Sequence, residues 1–239
     1  MSEFSEYFDD RMKVWMEYTN SAKTYIKSRR RYRDTLELVF PFLKQGGKSV
    51  LDLGGCEMAF LCAPLAGSVL SVSLGSHAEA AGARFSFPVR KFDIMDPIFP
   101  LEGQTFDVVF FLETLEHLPP PTDVVMKRLR GLVKPDGLLL LSVPNMAFWQ
   151  KRIKFFVAGR SPLKLGDERD PFGGYHHIRT YTYDECVTLL ERYGFKVLRC
   201  VSGNYQRDFR SGWFNYPFHV LERAFPRIAH KLMFLAAPR

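Results

Sequence analysis

The apolar and polar positions divide the chain into two regimes. Residues 1 to about 45 carry no Pro before Pro41 and no Gly before Gly46, and apolar residues recur at helical spacing through Leu36, Val39, Phe40 and Leu43. Gly46-Gly47 ends that segment. Beyond it, short apolar runs alternate with helix-like stretches, the rhythm of a parallel sheet flanked by helices. The strand candidates are Ser49–Leu53, Val69–Leu74, Val89–Phe92, Asp107–Leu112 and Leu138–Val143. A helix is expected over Asp123–Val133, followed by a turn at Pro135-Asp136-Gly137 that restarts the sheet. The alternation breaks from Asn145 to Tyr175, in a stretch too long for a plain connection, which reads as an insert over the active face. Order resumes at Thr182-Tyr183-Asp184-Glu185, a capping box, and the helix it starts stops at Gly194. Strands Phe195–Val201 and Lys231–Ala236 follow. The organisation expected is a helical cap over 1–45 and one α/β domain over 46–239 with an insert at about 145–180.

Length and composition narrow this picture. A chain of 239 residues, 46% hydrophobic and 25% charged, suits one large α/β domain. Aromatics reach 15%, with 22 Phe, and imply extra apolar contact surface. No run approaches the roughly 18 apolar residues of a membrane span, and the opening MSEFSEYFDD is polar and acidic, unlike a secretory signal. Cys56, Cys62, Cys186 and Cys200 form no CxxC pair and no zinc-ligand spacing, so they read as reduced thiols of a cytoplasmic protein, with no metal site expected. The net charge of +7 is concentrated at Arg29-Arg30-Arg31 with Arg33 and from Lys151 to Lys164. This reads as a solvated basic face, or alternatively as a surface for an anionic substrate, nucleic acid or membrane.

The chemistry lies at the strand ends. Ser49-Val50-Leu51-Asp52-Leu53-Gly54-Gly55-Cys56 runs a buried strand into a glycine turn, the way a doubly wound sheet presents a nucleotide-like ligand. Phe92-Asp93-Ile94-Met95-Asp96 follows the third strand, and Asp107-Val108-Val109-Phe110-Phe111-Leu112-Glu113-Thr114-Leu115-Glu116-His117-Leu118 forms and follows the fourth. With these motifs in this order, the chain resembles the class I S-adenosylmethionine-dependent methyltransferases, in the branch with E-x-L-E-H-L after strand four. "LVKPDGLLLLSVPN" over Leu132–Asn145 and His177-Ile178-Arg179-Thr180-Tyr181-Thr182 are similar to further runs of that branch. The likeness covers residues 46 to about 200 and, more loosely, the last strand.

The resemblance implies a Rossmann-like, doubly wound, seven-stranded sheet with its last strand antiparallel, and S-adenosylmethionine as cofactor, leaving as S-adenosylhomocysteine. It places the methionine part against Asp52 and the Gly54-Gly55 turn, the adenine near Asp93 and Ile94, and Leu112 and Glu113 on the pocket floor. The carboxylates suit charge-assisted hydrogen bonds to the cofactor's amines. Three positions depart from the family pattern: Cys56 and Met58 stand where glycines are usual, and Ser73 replaces the acid that grips the ribose, with Glu57 or Glu79 as substitutes.

A hydroxyl acceptor also needs its proton removed, and His is the natural base near neutral pH. Of the six histidines, His117, His177 and His176 are the candidates. Against this, His117 could serve to cap the following helix and His177, with Arg179, to tie the insert to the sheet. Arg152, Arg160 and Arg179 are candidates to hold acceptor charge. No Asn/Asp-Pro-Pro-Tyr/Phe turn follows strand four, which speaks against methylation of a base amine. The run Phe148–Val157, like Trp213, Phe214, Tyr216, Phe218, Val220 and Leu221, reads as helices packed on the domain. Its sharper alternative is an acceptor lid or a surface receiving a lipid-linked acceptor from a membrane. The function expected is O-methylation of a small-molecule or glycan-type acceptor, with anionic and lipid-linked acceptors as variants. The rivals are a non-catalytic binding protein with a degenerate cofactor site and a nucleic-acid methyltransferase.

Overall fold

Five consecutive residues, Ser49–Leu53 (β1), are buried on both faces apart from the first, which suits a strand in the middle of a parallel sheet. The computed structural model describes residues 2–19, 22–119, 121–159, 177–203 and 216–239, with 22–27 and 216–219 described as backbone only. Ahead of β1 lie helices α1 (Glu3–Thr19) and α2 (Ala22–Leu43). After it come α3 (Glu57–Cys62), β2 (Ser68–Val72), α4 (Ser76–Phe85), β3 (Val89–Arg90) and β4 (Phe106–Leu112). A single 3-10 turn at Leu115–His117 leads to α5 (Thr122–Leu132), β5 (Val133–Pro144) and α6 (Trp149–Ala158). The chain ends with α7 (Tyr183–Arg192), β6 (Phe195–Gly203), α8 (Tyr216–Ala224) and β7 (Lys231–Pro238).

The seven strands are ordered β3-β2-β1-β4-β5-β7-β6. β1 pairs in parallel with both β2 and β4, so the strand order reverses between β1 and β4. That reversal opens a crevice at the carboxyl ends of these strands. β7 runs antiparallel to β5 and β6, as the resemblance implied. Among the described residues no helix is long and apolar enough to cross a membrane.

The turn expected ahead of β5 differs from the sequence reading. Pro135-Asp136-Gly137 does not precede β5 but bulges within it: Phe106 pairs with Val133, and Val108 already pairs with Leu138. A Cβ at Gly137 would lie 3.0 Å from the backbone oxygens of Asp107 and Phe106, so the bulge closes tightly over β4.

The two faces of the sheet bury separate cores. Phe111, Leu115, Val125, Leu129, Leu141, Leu190 and Phe234 belong to one. The other joins α1 and α2 to the sheet through Phe8, Met12, Trp15, Leu36 and Val39, at helical spacing, against Phe60, Val108 and Phe110. The N-terminal helices also serve the end of α3: Tyr7 donates to the Leu61 carbonyl (2.6 Å) and Arg11 to that of Phe60 (2.7 Å). These are the carbonyls that a six-residue helix leaves without partners.

On the far side, Thr182 and Glu185 form the expected capping box on α7. α6 departs from the reading as a packed helix. None of its residues is buried, and Phe155 and Phe156 are 59% and 91% exposed. Its start is anchored by buried Phe148 and by Trp149 donating to Glu222 (3.0 Å). Arg160, His176 and the rest of the expected insert between them lie outside the described residues.

Candidate functional site

A cleft of about 350 Å³ occupies the crevice where the strand order reverses, and its wall includes residues from the ends of β1, β2, β3 and β4. This is within the usual range of small-molecule sites, about 300–1,000 Å³. Gly54, Ser73, Asp93, Ile94, Glu113 and His117, all singled out from sequence, line it. Asp52, Gly55 and Leu112 do not.

The turn after β1 shows why. Gly54 has φ +101°, a left-handed conformation, and a Cβ there would lie 2.3 Å from Thr114 Oγ1. The bare glycine therefore lets the turn close against the segment after β4. Asp52 sits beneath the turn, where Oδ2 accepts from the N–H groups of Met58 (2.9 Å) and Ala59 (3.0 Å) at the start of α3. Burial and the neighbouring Glu57 carboxylate push its pKa up to about 7, against the two N–H donors that favour its charge. Cys56 and Met58 are buried in the core shared with α1 and α2, and neither lines the cleft. The side chains standing in place of glycine thus point into the protein.

At the end of β2, Ser73 Oγ accepts from Gly75 N–H (3.2 Å), and Ser71 Oγ ties down the turn by donating to the Gly55 carbonyl (2.6 Å). His77, from the first turn of α4, also lines the cleft, a residue the sequence reading passed over. Asp93 Oδ1 accepts from Met95 N–H (2.8 Å), which fixes the loop after β3 with the carboxylate in the wall.

The segment after β4 holds the densest charge. The pleat turns Phe111 and Glu113 toward the cleft and Leu112 into the opposite core. Glu113 has φ +52°, and its carboxylate accepts from Ser142 Oγ (2.9 Å) and from Lys231 Nζ, with Arg31 at 3.9 Å. Burial alone would raise its pKa, but Lys231 and Arg31 hold it below the usual carboxylate range. Arg31 belongs to the basic cluster expected to face solvent; here its guanidinium is largely buried and paired. Arg29 pairs with Asp9 (2.6 Å), so much of that cluster binds α2 to its neighbours.

Glu116 is fully buried, and both its carboxylate oxygens lack a hydrogen-bond partner among the described residues. Burial and the nearby Glu113 push its pKa up to about 8. Its backbone carbonyl accepts from Ile178 (2.8 Å) and Arg179 (3.2 Å), which pins the segment after the insert beside the cleft. His177 and His117 consequently meet, ring centroids 4.8 Å apart, with both Nε2 atoms near Glu116 Oε1. Burial and His117 lower the His177 pKa. Sequence reasoning overlooked Glu116 and Lys231. The E-x-L-E-H-L run was the available signal for the first; only the antiparallel register, Pro144 opposite Lys231, brings in the second.

Residues 25–199 match a family described as "Methyltransferase domain". A curated relative, the ubiquinone biosynthesis O-methyltransferase of Photobacterium profundum, is 27% identical over 158 residues, covering 61% of this chain and 63% of that protein. The chain spans less than two thirds of the length of the curated relatives it matches first. Among solved structures, a SAM dependent methyltransferase from Archaeoglobus fulgidus superposes with TM-score 0.58 at 17% identity, covering 94% of this chain and 98% of that one. The magnesium protoporphyrin IX methyltransferase from Synechocystis PCC 6803, solved with bound SAH, gives TM-score 0.59 at 14% identity, covering 90% and 84%. At these identities the likeness to both structures is one of fold.

Proposed function

Because the chain belongs to this methyltransferase-domain family, we propose that it is an S-adenosylmethionine-dependent enzyme that methylates oxygen on a small-molecule acceptor. One observation carries the reading: the cleft at the strand reversal is open, and Cys56 and Met58, which could have filled it, are buried on the other side of the turn. S-adenosylmethionine supplies, when bound, a methyl group on a reactive sulfonium. The chain's own residues bind and orient. The Gly54 turn admits the methionine end, Ser73 and His77 face the ribose, and Asp93 with Ile94 holds the adenine. Asp52 supports from below by fixing the start of α3.

On the acceptor side, His117 lines the cleft and His177 adjoins it, either of them placed to take a hydroxyl proton. A general base of this kind contributes about 10²–10⁴ in rate. The curated relatives are named as O-methyltransferases of ubiquinone biosynthesis, which supports an oxygen acceptor of small size and gives no support to a glycan or an anion. The open cleft speaks against a non-catalytic binding protein, and the pairing of Arg31 with Glu113 weakens the case for a nucleic-acid surface on α2.

Calorimetric titration with S-adenosylmethionine tests the reading. Saturable binding is expected, weakened about tenfold or more in Asp93→Ala through loss of a charge-assisted hydrogen bond. No heat and no thermal shift at millimolar cofactor would overturn it.

A further inference from the structure

A thiol, a carboxylate and an imidazole converge at the edge of the cleft, beside the turn after β1. Cys56 is buried, Glu57 is half-buried and His77 is exposed, and His77 also lines the cleft. The Cys56 Sγ, one Glu57 carboxylate oxygen and one His77 ring nitrogen all lie within 4.8 Å of one another. Ligand atoms about 2.0–2.3 Å from one tetrahedral ion stand roughly 3–4 Å apart, so a contraction of about 1 Å closes the set.

The two turns hold these groups in place. The Cys56 N–H donates to Glu57 Oε2 (3.2 Å), which draws the carboxylate back over the glycine turn. A Cβ at Gly55 would lie 3.2 Å from that same oxygen. A Cβ at Gly75 would lie 2.6 Å from His77 Nδ1 and Cε1, so the bare glycine leaves room for the ring to rest against the turn after β2. Ser71 Oγ, donating to the Gly55 carbonyl (2.6 Å), ties the two turns together.

We propose that Cys56, Glu57 and His77 form an inhibitory binding site for a thiophilic divalent ion of the zinc class, which shuts out the cofactor. Thiolate and imidazole favour Zn2+ and Co2+ over Mg2+ and Ca2+, which prefer all-oxygen sets. The ion binds the thiolate, and the thiol proton leaves to solvent. His77 is the exposed end of the set and Cys56 the buried end, so the ion enters from the cleft. The site gives a use to Cys56, which stands where the family pattern has glycine. The sequence reading expected no metal because the three residues match no zinc-ligand spacing; the approach of α4 to the turn after β1 joins them.

The exclusion of cofactor rests on the proposed methyl transfer; the metal site itself does not. Closing the set draws the His77 imidazole and the Glu57 carboxylate together beside the Gly54-Gly55 turn. That is where the methionine end and the ribose are proposed to lie.

The test uses the full chain, stripped with a chelator and titrated with Co2+ under ultraviolet and visible spectroscopy. One Co2+ per chain is expected, with a thiolate charge-transfer band that persists in excess Mg2+ and is lost on adding Zn2+. Cys56→Ser should abolish the band. His77→Ala should weaken Co2+ binding by at least the roughly tenfold that loss of an outer-shell partner already costs. Thermal unfolding confirms that each variant folds. No Co2+ binding by the wild-type chain, or a charge-transfer band that survives Cys56→Ser, would overturn the proposal. Bands without thiolate character would also overturn it, by placing the ion among nitrogen and oxygen ligands elsewhere. Calorimetry with S-adenosylmethionine then tests the inhibition. Zn2+ at ten times its own dissociation constant should weaken cofactor binding about tenfold by mass action, and Cys56→Ser should bind cofactor equally with and without Zn2+. Wild-type cofactor affinity unmoved by bound Zn2+ would refute the inhibition. Cofactor binding without Co2+ binding sinks the metal site alone. Co2+ binding by a chain that never takes up cofactor keeps the metal site and sinks the methyltransferase reading, and the inhibition with it.

Discussion

Glu113 at the end of β4 and Lys231 at the start of β7 meet in a buried ion pair 118 positions apart in sequence. The contact fastens the antiparallel strand to the wall of the cleft, and Arg31 adds α2 to the same carboxylate. Removing one partner of a buried pair leaves an uncompensated charge, which costs about 3–5 kcal/mol. Lys231→Met should therefore destabilise the chain by about 3 kcal/mol, toward the low end because Arg31 and Ser142 still serve Glu113. Adding Glu113→Gln should restore part of the loss. Urea unfolding of the single and double variants checks both expectations.

Asp52 gives a pH dependence of definite sign. Its folded pKa of about 7 lies above the ordinary value near 3.8. Between these values the folded chain holds a proton that the unfolded chain has released, so this group's contribution falls as pH rises and is fully lost above about 7. In Asp52→Asn the group no longer titrates. The stability of the variant relative to wild type should rise from about pH 4 to about pH 7 and then level off. Denaturation at either end of that window measures it, and a constant difference would contradict the assignment.

Gly54 should tolerate no side chain. In Gly54→Ala the Cβ would meet Thr114 Oγ1 at 2.3 Å in a backbone conformation of φ +101°. A loss of about 2 kcal/mol or more is expected, since steric clash adds to backbone strain. Adding Thr114→Ala should recover only the part due to the clash, because the strained φ remains. Melting curves of the two variants separate the contributions.

The histidines should split binding from turnover. His117→Ala and His177→Ala are expected to keep cofactor binding by calorimetry. At least one should lose about 100-fold or more in methyl transfer to a hydroxyl acceptor, as loss of a general base requires. Full turnover in both would remove them from the chemistry.

Much of the fold was legible because it follows local rules. β1 spans the residues its apolar run marks, and the Thr182–Glu185 box starts α7 where the motif places it. What the sequence withheld depends on direction rather than identity. Cys56 and Met58 looked obstructive, since their bulk is visible in a sequence but the side of the turn they occupy is not. Leu112, expected on the pocket floor, faces the opposite core while Phe111 lines the cleft, because a single step along the strand reverses the face. Arg31 read as part of a solvated basic face and Glu116 was passed over, and only packing between distant segments reveals that both are enclosed. The bulge at Pro135-Asp136-Gly137 kept its turn chemistry and lost only its place at the strand boundary.

The exposed end of α6 bears on handling the protein. A helix anchored through Phe148 and Trp149, yet carrying Ile153, Phe155, Phe156 and Val157 at the surface among Lys and Arg side chains, offers a sticky flag. Concentrated stocks should self-associate through it, and detergent or a Phe155→Ser/Phe156→Ser double substitution should keep them dispersed.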